Sequence, residues 1–318
     1  MSADTSPTLL LVHGAASTAQ VWGPLQRELA LLGHRTLAVD LPGHGTRAHH
    51  PAGYHQSPQD LEAFAAEPSA LAGIGLTDYT DDLLAVVRRL AEHGPVVLAG
   101  TSAGGVPITA VAEAAPELVH GLVYLSAWCA VRSATVGENA TWPEHSGNPF
   151  DQIPWPQVGD PERLGVVRLN LRSADPDYLA KAHAAIMAEG SADEFRALLG
   201  TMEPDVNFLL GTQRCPATPQ RWGRVPRHYV RFTADRAILP AAQDRMIAEA
   251  DALAPRNPFR VHSVDAGHVG YHSRPRELAE LLDGIVAGST RPADQAEPGA
   301  DHDQGPSLTP PVTGSNRM

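Results

Sequence analysis

The chain is short of cysteine, lysine, aromatic residues and positive charge. Its 318 residues include two cysteines, Cys129 and Cys215. Two thiols so far apart exclude a C-x-x-C redox pair, a disulfide framework and a four-thiolate metal site. Lys181 is the single lysine, so lysine chemistry has one place to reside. The 24 Lys and Arg residues against 36 Asp and Glu give a net charge of −12. Such a surface repels phosphate backbones and anionic lipid, which argues against nucleic-acid and membrane-surface roles. No run approaches the ~18 apolar residues of a membrane span. Leu9–Val12 is strand-length and leads into His13-Gly14, unlike a signal-peptide core. A cytoplasmic location is expected, with no nucleic-acid or membrane partner.

Hydrophobic residues make up 43% of the chain, enough for a full core. At roughly 150 residues per domain, the length allows two domains, or one large domain with an insertion. Over residues 1–128, short apolar runs alternate with helical patterns. Thr8–Val12 reads as a buried strand, and Arg35–Val39, Pro95–Ala99 and Gly121–Leu125 read as further strands. Val21–Leu32, Asp81–Leu90 and Gly104–Ala115 read as helices. Continuous apolar strands between helices point to a parallel sheet covered on both faces. The alternation lapses over 129–225, a proline-bearing stretch with helical patterns near 176–189 and 192–200 and no convincing buried strand. It resumes at 226–287 with strands Arg227–Phe232 and Phe259–Val264 and helices Ala241–Leu253 and Pro275–Ala287. This reads as an α/β core interrupted by a mainly helical cap. Residues 288–318 read as a disordered tail. Residues 46–76 read as one long polar loop of functional or mobile character.

The sharpest chemical signal is Gly100-Thr101-Ser102-Ala103-Gly104, after a predicted strand and opening a predicted helix. In that context G-x-S-x-G places a serine hydroxyl at the carboxyl edge of a sheet, beside helix N–H groups that favour negative charge. The bland alternative is a tight turn holding an ordinary serine. A serine needs a base. His268, in Asp265-Ala266-Gly267-His268 after the last strand, reaches the same edge; His272 is its main rival. A base needs a carboxylate to fix its tautomer. Asp235 follows Arg227–Phe232 directly; Asp265 is its rival, and a plain ion pair with Arg236 is its bland role. The order Ser102, Asp235, His268 is the one associated with this elbow. Acyl transfer also needs oxyanion donors. The Ala103 N–H and the Ala15 N–H, in the Gly14-containing loop after the first strand, are the candidates. The His13 side chain is read as structural.

These segments carry a resemblance. Leu11-Val12-His13-Gly14-Ala15, Asp40-Leu41-Pro42-Gly43-His44-Gly45, Gly100–Gly105, Thr233–Ile238, and Gly267-His268 with Arg274–Leu278 are spread over residues 9–287. Together they resemble the α/β-hydrolase superfamily, and within it the branch of plant methyl esterases, hydroxynitrile lyases and small bacterial esterases. The resemblance implies Ser102, Asp235 and His268 as a triad, oxyanion donors at Ala15 and Ala103, and a helical cap. The lyases of that branch carry threonine where Gly14 stands and lysine where Val269 stands, which disfavours cyanohydrin cleavage here.

The expected function is hydrolysis of a small, largely apolar ester through an acyl-enzyme. The alternatives are elimination or retro-aldol cleavage at the same residues, or a ligand receptor on a hydrolase scaffold. Trp128, Trp142, Phe150, Trp155, Phe208 and Trp222 fall in or beside the cap and suggest an apolar substrate portion. Gly53-Tyr54-His55-Gln56 is a candidate pocket edge. His44, His49, His50 and His55 lack a defined ligand set, so no metal is expected. No G-x-G-x-x-G or P-loop pattern appears, so no cofactor is expected.

Overall fold

Six strands pair side by side, all in parallel, in a computed structural model that describes residues 6–133 and 135–289. They are β1 (Thr8–Val12), β2 (Arg35–Val39), β3 (Val96–Ser102), β4 (Gly121–Ala127), β7 (Arg227–Phe232) and β8 (Arg260–Val264). Their order is β2-β1-β3-β4-β7-β8. This is the α/β-hydrolase fold.

Parallel strands need crossovers, and the helices that make them cover both faces. β1 shows how the sequence accommodates this. Leu10 and Val12 enter one core, and Leu9 and Leu11 enter the other, all fully buried. The first core takes Leu83 and Val87 of helix Leu76–Ala91, Val106 and Val111 of helix Gly105–Ala114, and Met246 of helix Pro240–Leu253. The second takes Leu25 and Leu29 of helix Gly23–Leu31, and Leu278 and Leu282 of helix Pro275–Ser289.

The chain leaves β1 toward β2 and later returns on β1's other side as β3. The loops after β1 and β3 therefore diverge from a crevice at the carboxyl ends, where open α/β sheets bind ligands. Val12 and Gly100 are paired neighbours there.

Between β4 and β7 lie helices Pro176–Ile186 and Ala192–Leu199, several shorter turns of helix, and an antiparallel ribbon. The ribbon, β5 (Val166–Arg168) with β6 (Asp205–Asn207), corrects the expectation of no buried strand. Each strand has three residues, too short for a period-2 pattern to declare itself. Arg168 is fully buried. Its Nε and Nη2 donate to Asp205 at 2.6 and 2.8 Å, and its Nη1 donates to the Phe64 and Glu67 carbonyls. Residues 46–76 are thus fastened to the ribbon. They form helices Ala52–His55 and Leu61–Ala66, and the next helix starts at Leu76, five residues before the expected Asp81. The expected tail lies outside the described residues from 290 onward, while Gly288 and Ser289 still belong to the last helix.

Candidate active site

Ser102 ends β3 with φ +50, a left-handed conformation rare for a residue with a side chain. Two glycines permit the turn. A Cβ on Gly100 would sit 2.6 Å from the Gly104 carbonyl oxygen, and one on Gly104 would sit 2.6 Å from the Val12 and His13 oxygens. Those obstacles are backbone, so no side-chain adjustment relieves them. Helix Gly105–Ala114 follows directly.

The loop after β8 brings His268 to Ser102, with Nε2 3.1 Å from Oγ. Its Nδ1 lies 2.8 Å from Asp235 Oδ2. A carboxylate accepts, so Nδ1 carries the proton and Nε2 faces the hydroxyl as an acceptor. Asp235 is 1% exposed. Its Oδ1 accepts from the Ala237 and Ile238 N–H groups at 2.7 and 2.9 Å. Its Oδ2 also accepts from Ser126 Oγ at 2.5 Å. Four donors hold this buried carboxylate, which meets the requirement that a buried charge be paired and hydrogen-bonded. Neither rival residue enters this chain of bonds. Asp265 is exposed and accepts from Thr233 Oγ1 at 3.4 Å. His272 forms part of the short helix Gly270–Ser273, with its Nδ1 buried and unbonded.

Ser126 carries no signal in the sequence. It is the penultimate residue of a buried strand, with φ +40, and only its neighbour across the sheet reveals its purpose. Glu189 carries no sequence signal either. Its Oε1 accepts from the Gly267 N–H at 2.9 Å and from Ser273 Oγ at 2.6 Å, tying the inserted segment to the His268 loop.

His13 is fully buried. Desolvation, helped by the neighbouring His44, pulls its pKa down to about 3, so it is neutral. Its Nε2 accepts from the Leu41 N–H at 3.1 Å, so Nδ1 carries the proton and donates to the Gly14 carbonyl at 2.8 Å. The C=O and N–H of a trans peptide point in opposite directions. Holding the Gly14 oxygen therefore turns the Ala15 N–H the other way. Among the described residues, neither the Ala15 nor the Ala103 N–H has a hydrogen-bond acceptor. Both residues line a cavity of about 380 Å³ that also contains Ser102 and His268.

That cavity is walled mainly by apolar side chains, among them Trp128, Phe150, Trp155, Leu198 and Val206. Trp142 and Trp222 lie elsewhere. Trp142 packs under the Arg245 guanidinium, and Trp222 is fully buried with its Nε1 donating to Tyr124. The Phe208 side chain lies outside the described residues. A second cavity of about 190 Å³ adjoins the first and shares Gly14, Ala15, Ala103 and Trp128 with it. The Gly53–Gln56 segment borders neither cavity. Tyr54 and His55 instead line a separate cleft with Arg172. His49 and His50 pair with Glu67 and Glu203. No helix among the described residues is long and apolar enough to cross a membrane.

Against known proteins, a profile described as the alpha/beta hydrolase family matches residues 9–281. A pyrethroid hydrolase of Sphingobium wenxiniae is 26% identical over 287 residues, 87% of each chain. An alpha-hydroxynitrile lyase of Arabidopsis thaliana is 24% identical over 286 residues, 87% of this chain and 96% of the relative. The crystal structure of a polyneuridine aldehyde esterase superposes with a TM-score of 0.66 at 22% identity, covering 88% of this chain and 99% of the other.

Proposed function

The chain belongs to the alpha/beta hydrolase family, and from that premise we propose that it is a serine ester hydrolase acting on a small, largely apolar ester. One observation carries the reading: the continuous hydrogen-bonded chain from Ser102 Oγ through His268 to Asp235. His268 Nε2 takes the hydroxyl proton as Oγ attacks the ester carbonyl carbon. The Ala15 and Ala103 N–H groups receive the oxyanion. The imidazolium is stabilised by Asp235 and returns the proton to the leaving alcohol as the C–O bond breaks. Water then attacks the acyl carbon by the same route, and the acid departs. The esterase and hydrolase names among the relatives support ester cleavage.

The lyase relative raises the alternative of cyanohydrin cleavage. Space at Gly14 argues against it. A Cβ there would lie 2.8 Å from Ser102 Cβ, which leaves no room for threonine without displacing the serine. Lys181 is half-exposed and paired with Asp177, and Val269 stands after His268.

The test is a mutant cycle on ester turnover. Ser102→Ala lowers kcat by about 10⁶, and adding His268→Ala costs little more, because the two side chains act as a unit. Equal turnover by wild type and Ser102→Ala sinks the proposal.

A further inference from the structure

We infer that the substrate joins a short acyl group to a bulkier apolar alcohol, and that the alcohol occupies the larger of the two chambers meeting at Ala15 and Ala103. This rests on the serine-hydrolase reading and adds the orientation and class of the ester.

The two chambers differ in size, about 380 against 190 Å³. They also differ in which reacting groups they contain. Ser102 and His268 border the larger one only. The smaller one begins at Gly14, Ala15 and Ala103 and is closed by Val106, Val136 and Leu210, with His44 and Tyr79 among its other walls. Trp128 borders both.

Collapse of the tetrahedral intermediate settles which arm goes where. Its central carbon bears Ser102 Oγ, the oxyanion, the acyl substituent and the leaving oxygen. The leaving oxygen must receive a proton from His268 Nε2, so it lies within hydrogen-bond reach of that nitrogen. His268 borders the larger chamber, so the alcohol extends there, under Trp155, Leu198 and Val206. The oxyanion lies between the Ala15 and Ala103 N–H groups. The acyl substituent is the remaining arm. It points away from His268, past the same two residues, into the smaller chamber. Atoms balance without a co-reactant beyond water: the C–OR bond breaks, the alkoxide takes the His268 proton, and the acyl group stays on Oγ until water displaces it.

Apolar walls around the alcohol chamber match an aryl or alkyl alcohol. The acyl chamber is half the volume. A methyl ester of a large acid fits the arrangement in reverse and is the poorer substrate.

Two isomers of identical composition test the assignment: 2-phenylethyl acetate and methyl 3-phenylpropanoate. Both release an alkyl alcohol, so leaving-group reactivity is matched. The kcat/KM for 2-phenylethyl acetate is expected to exceed that for its isomer by about tenfold or more, the scale on which pockets discriminate apolar groups. Lengthening the acyl group from acetate to hexanoate, with the alcohol unchanged, lowers kcat/KM by a similar factor. Val206→Phe narrows the larger chamber and reduces turnover of 2-phenylethyl acetate more than that of methyl butanoate. Val136→Phe narrows the smaller one and does the opposite. Equal or reversed preference between the isomers, with turnover still dependent on Ser102, overturns the arm assignment and leaves the hydrolase reading intact. Absence of Ser102-dependent turnover for both isomers overturns the two together. The wild-type comparison decides the matter even if a variant fails to fold.

Discussion

His13 offers a way to separate what holds the site together from what makes it react. Its imidazole makes two buried bonds with different consequences. Nε2 accepts the Leu41 N–H, and Nδ1–H holds the Gly14 carbonyl. In His13→Leu both partners lose their bond. Each buried polar group left unpaired costs ~1–3 kcal/mol, so the variant loses ~2–6 kcal/mol, less what leucine contributes by packing. The Gly14–Ala15 peptide is then free to tilt. Loss of one oxyanion donor lowers kcat by ~10²–10³, which bounds the effect, and partial tilting gives about 10–10²-fold. Two further variants divide the functions. An asparagine amide can replace Nδ1–H, so His13→Asn keeps kcat near wild type while losing stability. A glutamine carbonyl can replace Nε2, so His13→Gln keeps the Leu41 bond but leaves the Gly14 carbonyl unpaired, losing kcat together with ~1–3 kcal/mol of stability. The assays are a urea melt and kcat per site after titration of reactive serine with a fluorophosphonate. If all three variants retain kcat per titrated site within about twofold of wild type, His13 does not position the Ala15 N–H, and the 10–10²-fold expectation is refuted.

Three other outcomes follow from the same contacts. Ser126→Ala removes one donor from Asp235 and leaves the His268 bond in place; kcat falls by about tenfold, ~1.4 kcal/mol in the barrier, and the same change in a His268→Ala background has no further effect. Arg168→Leu leaves Asp205 buried without its partner and costs ~3–5 kcal/mol, read as a lower urea midpoint at unchanged slope; a midpoint like wild type would contradict it. Stability falls as pH drops below the ordinary imidazole range. Burial lowers the pKa of His13 to about 3, and burial together with His262 lowers that of His228 to about 4. The unfolded chain therefore binds more protons between about pH 6.5 and 4, and His13 alone contributes a slope of up to ~1.4 kcal/mol per pH unit. A urea midpoint that stays flat across that window in wild type, or a slope unchanged in His13→Gln, counts against this.

The core is legible in the sequence because its central strands β1, β3 and β4 are buried on both faces and read as apolar runs. The position of Ser102 was legible because its two glycines are demanded by backbone contacts that no other residue tolerates. His268 and Asp235 could be named because parallel topology sends every post-strand loop to one edge. What escaped depends on contacts distant in sequence. Ser126 looks like an ordinary strand serine until β7 is laid beside β4. Arg168 looks like a surface charge until Asp205, 37 residues away, is folded against it. The 46–76 stretch looked like a polar loop because its buried Tyr54, Phe64 and Leu71 are too widely spaced to form a periodic pattern. The aromatic residues of the inserted segment form one group by sequence position, and packing divides them. Trp128, Phe150 and Trp155 face the cavity, while Trp222 fills the core beneath the sheet.

Intact-mass spectrometry of an acid-quenched reaction addresses the central claim most directly. With 2-phenylethyl acetate under turnover, the chain is predicted to gain the mass of one acetyl group, located by peptide mapping to the segment containing Ser102 and absent in Ser102→Ala. Rapid turnover with no adduct at Ser102 at any quench time, undiminished in the alanine variant, would contradict the account.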